Sequence, residues 1–113
     1  MEELAYKIKA DFLKALAHPL RLQIIEFLKN GEQRVGTIAK KLGIPQSSLS
    51  RHLLLLREGG VLKSRQQGTV IFYSIESLEI FKVLRPIAEM LRQKLKRTER
   101  VLDSLGKEKY GTF

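Results

Sequence analysis

The sequence predicts a mainly α chain with a single small β-hairpin, an α+β class in the order α-α-α-α-β-β-α. Three observations carry this. Apolar residues recur at helical spacing along most of the chain. One window, residues 61–75, breaks that period and is rich in β-branched and aromatic residues. Gly and Pro punctuate the boundaries between segments. A chain of 113 residues has room for one sizeable core and not for two, so residues 1–113 are expected to form a single domain.

Leu4, Ile8, Phe12, Ala15 and Leu16 form the apolar stripe of a first helix reaching about Ala17. His18-Pro19 ends it, since the residue before proline is pushed out of the α region. Pro19 suits the first turn of a second helix, with Leu20, Ile24, Ile25 and Leu28 on one stripe. Asn30-Gly31 is expected to close that helix in the left-handed manner. Val35, Ile38, Ala39 and Leu42 give a third helix of about two turns, stopped by Gly43. A tight turn, Gly43-Ile44-Pro45, leads into a fourth helix with Leu49, Leu53 and Leu56 facing inward and Gly59-Gly60 at its end. In the β-prone window, Leu62–Arg65 and the run around Val70–Tyr73 read as two strands joined by Gln66-Gln67-Gly68. Helical spacing then resumes over 78–105 through Ile80, Leu84, Ile87, Leu91, Leu95, Leu102 and Leu105. Pro86 is expected to kink that helix or mark its restart, and Gly106–Phe113 reads as a frayed tail.

Composition narrows the function. Hydrophobic content of 43% with 29% charged residues belongs to a folded chain. The absence of Cys removes disulfides, thiolate metal sites and cysteine nucleophiles together, and two His leave little for a metal cage or a Ser-His-Asp relay. No phosphate loop, paired carboxylates or set of nucleophile, base and orienting group is visible, so an enzyme is not expected. No apolar run approaches the ~18 residues of a membrane span, and the start is unlike a signal peptide, so a cytoplasmic protein without membrane contact is expected.

The net charge is +9 and the isoelectric point near 10.0, which points to a polyanion, nucleic acid ahead of membrane. Residues 31–75 hold seven basic groups against two acidic ones, a net of +5, so the middle of the chain is the basic part. Residues 35–59 read there as helix-turn-helix and 61–75 as a wing, a winged helix-turn-helix.

The segment Ile44–Leu53 is the most informative. With Leu49 and Leu53 inward, Gln46, Ser47, Ser50 and Arg51 project from the other side, at the helix end that enters a major groove. Gln pairs bidentately with adenine and Arg with guanine, Ser reaches base edges or phosphates, and the helix terminus attracts a phosphate. The plainer interpretation is a solvated polar face with Gln46 or Ser47 as a cap. The DNA-binding set is therefore Gln46, Ser47, Ser48, Ser50, Arg51 and His52, with Lys63, Arg65 and Gln67 on the wing and Lys40 and Lys41 against the backbone. His52 is read as contacting phosphate, orienting Arg51, or packing. His18 is read as satisfying backbone groups at a helix boundary, and the two His are not expected to meet. Leu54 is expected to pack beneath the wing, the alternative being an exposed partner contact.

Ala15–Leu22, Ile38-Ala39, Gln46–Leu53 and Leu56–Leu62 together resemble the ArsR/SmtB-type winged-helix repressors, over about residues 10 to 75. The resemblance implies a homodimer whose paired recognition helices read a palindromic operator in double-stranded DNA. It also implies an interface of the first and last helices, 1–17 and 78–105, with Leu4, Ile8, Phe12, Leu84, Ile87, Leu91 and Leu95 upon it. Metal-sensing relatives often carry Cys-Val-Cys at the start of the third helix, where this chain has Arg34-Val35-Gly36. A second family site uses Asp and His on the last helix, which here offers Glu89, Glu99 and Asp103 but no His. Both metal sites are thus expected to be absent, with no cofactor, and the effector is unidentified. Two rivals stay open: a basic architectural or RNA-associated protein without sequence preference, and a sensor gated by a small molecule at an unfamiliar pocket.

Overall fold

The computed structural model describes residues 1–105; the tail reading of Gly106–Phe113 lies outside them. The elements are α1 (Glu2–Leu16), α2 (Pro19–Phe27) followed by a 3₁₀ turn (Leu28–Asn30), β1 (Gln33–Arg34), α3 (Val35–Leu42), α4 (Gln46–Glu58), β2 (Leu62–Gln67), β3 (Val70–Ile75) and α5 (Ile80–Leu105). The chain divides into two compact units, Met1–Leu78 and the segment from Glu79 onward.

In the first unit α2, α3 and α4 pack on one another, α1 lies against α2 and α4, and α4 backs onto β2. The stripes meet there: Ile24, Ile25, Leu28, Ile38, Leu49, Leu53, Leu56 and Leu62 are fully buried. Each such side chain contributes roughly 1.5–3 kcal/mol by leaving water. The helix starts follow from local chemistry. Glu2 and Glu3 complement the α1 dipole. His18 caps α2, its Nδ1 accepting the Leu20 amide at 3.1 Å ahead of Pro19, which bears out its boundary role. Gly43, at φ 68° and ψ 32°, ends α3 in the left-handed conformation.

Several expectations change. The sheet has three strands in the order β1-β3-β2, because Gln33 and Arg34 pair antiparallel with Tyr73 and Phe72. Two residues are too short a run to show any period. The hairpin register pairs Leu62 with Ile75 and Gln67 with Val70, so Gln66 and Gln67 belong to the strand and the turn is Gly68-Thr69. Gly68 at φ 64°, followed by a non-glycine at negative φ, suits a two-residue turn with glycine first. Gly31 closes the 3₁₀ turn at φ 143° and ψ 175°, an extended glycine conformation and not the left-handed one expected. Leu54, expected beneath the wing, is exposed. In the second unit α5 continues through Pro86 without restarting.

Candidate nucleic-acid interface

Gly43 lets α3 turn sharply, with the Ile44 amide returning to the Ala39 carbonyl at 3.1 Å, and Pro45 opens α4. No side chain caps α4. Ser48 and Leu49 donate to the Pro45 carbonyl, so the Gln46 and Ser47 amides precede the first intrahelical bonds and remain available at the helix's positive end. Because Leu49, Leu53 and Leu56 take the buried face, Gln46, Ser47, Ser48, Ser50 and Arg51 are all exposed. At 100° per residue Ser47 and Arg51 lie directly opposite the core, with Leu54 one turn further along the same face. The Ser50 hydroxyl donates to the Gln46 carbonyl at 2.8 Å, which fixes its rotamer. Gln46 reaches toward α3: a Cβ added at Gly36 would lie 3.4 Å from its Nε2. The two sit in an open groove with Arg34, Thr69 and Val70, between the starts of α3 and α4 and the wing tip.

His52 stands apart from this exposed row. It is half-buried, its Nδ1 accepts from Arg21 Nε at 3.2 Å, and its ring lies 4.4 Å from that of His18, centroid to centroid. The two His therefore meet, against expectation, because α2 crosses α4 at that level. Burial, followed by the neighbouring His18, Arg21 and Arg51, holds His52 below its ordinary pKa. Arg21 also donates from Nη1 to the Lys14 and Ala15 carbonyls, both at 3.2 Å, and so ties the end of α1 and the middle of α4 to α2.

On the wing, Lys63, Arg65 and Gln67 alternate onto one face of β2, opposite Ser74, Phe72 and Val70. Lys63 and Gln67 are exposed, as are Lys40 and Lys41 in the last turn of α3. Arg65 is engaged. Its Nε donates to both Glu32 carboxylate oxygens at 3.0 and 2.9 Å, Nη2 to Oε1 at 2.7 Å, and Nη1 to Gln67 Oε1 at 3.0 Å, while the guanidinium lies 4.3 Å from the Phe72 ring centroid. The hydrogen bond from Arg65 lowers the Glu32 pKa, and the same bond raises that of Arg65. Arg57 Nη1 donates to Ser64 Oγ at 3.2 Å and joins α4 to the wing's base. Sequence reasoning passed over Arg21, Glu32 and Arg57, whose roles depend on partners on other elements. Among the described residues no group of three or more His, Asp and Glu side chains that could hold a metal comes together, and no helix is long and apolar enough to cross a membrane.

A short helix, a glycine turn and a second helix with an exposed polar row, followed by a β wing, define a winged helix-turn-helix regulatory protein. A family model described as bacterial regulatory protein, arsR family, matches residues 18–64. The HTH-type transcriptional regulator Rv0081 of Mycobacterium tuberculosis is 37% identical over 101 residues, 88% of this chain and 89% of its own. Its crystal structure aligns at a TM-score of 0.73, covering 86% of this chain and 96% of that one. The transcriptional repressor PagR of Bacillus anthracis is 41% identical over 91 residues, 77% of this chain and 91% of its own. The homodimeric winged helix-turn-helix DNA-binding domain of Mb0332 from Mycobacterium bovis aligns at a TM-score of 0.72 and 31% identity, covering 78% of this chain and 84% of that one. The chain belongs to the arsR family of bacterial regulatory proteins.

Proposed function

We propose that this regulator binds a palindromic operator in double-stranded DNA as a homodimer and represses transcription by occupying the promoter, in the cytoplasm and without catalysis. The observation that carries the proposal is the exposed row Gln46, Ser47, Ser48, Ser50 and Arg51 at the uncapped start of α4. A binder working by charge alone needs only Lys and Arg, whereas this row supplies the amide, hydroxyl and guanidinium groups that discriminate base edges. Lys63, Arg65 and Gln67 take the wing's backbone contacts, and Lys40 and Lys41 those beside α3. Exposed Leu4 and Ile8 on α1, and Ile87, Leu91 and Leu95 on α5, are apolar surface that a second copy would cover. The repressor assignment follows PagR and the dimer follows Mb0332.

Selection of bound sequences from a random duplex pool tests the proposal. Two inverted half-sites with centres about one helical turn, or a multiple of it, apart are expected. Arg51→Ala should relax the preference at one position in each half-site and cost about 1–3 kcal/mol, whereas Arg65→Ala should weaken binding to all sequences alike. A pool that emerges without an enriched motif overturns sequence reading in favour of general nucleic-acid binding.

A further inference from the structure

Every nitrogen of Arg65 donates within the chain: Nε and Nη2 to Glu32, Nη1 to Gln67. Its face lies over Phe72. Glu32 holds the Nε–Nη2 edge of the guanidinium, so that edge cannot pair with a phosphodiester until the carboxylate leaves. The partner that resembles a phosphate is Glu32, since carboxylate and phosphate oxygens take the same two-pronged pairing with arginine. Glu32 is also one of only two acidic residues among the nine charged groups of residues 31–75. It is held in place between Gly31, in its glycine-only conformation, and Gln33, paired to Tyr73. The side chains of Arg65 and Glu32 are 52% and 33% exposed, so an anion from solution has access to the pair.

We propose that Glu32 is an internal stand-in for a DNA phosphate, occupying Arg65 in the free protein and exchanged for a phosphodiester oxygen when the wing meets the duplex. Glu32 thereby tunes affinity without touching DNA. The proposal rests on the DNA-binding reading above and adds to it a competing anion. It differs from a simple brace, in which the ion pair holds the wing's shape and its loss weakens binding. Exchange predicts the opposite sign.

The test is fluorescence anisotropy of a labelled random-sequence duplex over a salt titration, with wild type, E32Q, R65Q and the E32Q/R65Q double variant. E26Q, on α2, removes the same unit of charge and serves as control. Exchange predicts that E32Q binds about 2–5-fold more tightly than E26Q at low salt, with a log–log salt slope that still includes the Arg65 contact, about 0.9 steeper than that of R65Q. That gain should vanish in the R65Q background. E32Q binding no more tightly than E26Q, or keeping its gain without Arg65, overturns the proposal while leaving the DNA reading intact. A wild-type protein that binds no duplex overturns both. Where a melting curve shows E32Q unfolded, E32D takes its place: the charge stays but the reach shortens, and binding no tighter than wild type overturns the proposal.

Discussion

Gly59 ends α4 at φ −77°, a backbone conformation open to any residue, yet a Cβ there would lie 2.7 Å from Ala15 Cβ and 3.2 Å from the Leu55 carbonyl. Close approach of α1, not backbone freedom, demands glycine. Gly59→Ala should therefore destabilise by about 1–3 kcal/mol, as overpacking does. Combined with Ala15→Gly, it should cost less than the two single changes together; strict additivity in urea titrations would show that the contact is not the cause. His52 gives a second prediction. Its folded pKa lies below the unfolded value near 6.5, so the unfolded chain binds more protons between the two. Its contribution is complete above about pH 6.5 and is lost as pH falls through the lower folded value. The urea midpoint should decline over that window, and His52→Gln, which cannot titrate, should flatten the decline. Nothing in the segment Ser50-Arg51-His52-Leu53 discloses this, because the groups that depress His52 from α2 stand some thirty residues earlier in the chain.

Among the elements, α3 is the one most dependent on its neighbours. At eight residues it is too short to persist alone, and its fully buried large side chain is Ile38. Ile38→Ala should cost about 2–5 kcal/mol, and a urea midpoint close to wild type would mean the site collapses around the loss. The bounds of α3 were legible because Val35, Ile38, Ala39 and Leu42 sit at helical spacing ahead of a glycine. The wing was legible as a hairpin but not in its register. Gln66 and Gln67 look like turn residues, yet cross-strand pairing with Ile71 and Val70 holds them in β2. Strand β1 left no mark because its two residues are strand only by virtue of β3. The exposed polar face of α4 was legible from its three inward leucines, and half-buried His52 stands apart from that face.

At the scale of the molecule, the basic charge and the unpaired apolar rows decide behaviour in solution. Leu91 and Leu95 lie one turn apart on the amphipathic α5 and are 53% and 64% exposed, as are Leu4 and Ile8 on α1 at 54% and 60%. Surface of that kind is costly in water and calls for cover. Leu91→Glu with Leu95→Glu should shift the protein to a monomer in sedimentation velocity and weaken binding to a two-half-site duplex far more than to a single half-site. An unchanged dimer would place the interface elsewhere. The sequence by itself determined the order and kind of the elements, the exposed polar start of α4 and the basic middle third. These depend on periodicity, breakers and charge, which act over a few residues. Tertiary structure alone decided that Arg21 takes His52 across 31 positions and Arg65 takes Glu32 across 33. Such pairs form only when packing brings distant segments to hydrogen-bonding range, and no local spacing encodes which cation will be held and which left free for DNA.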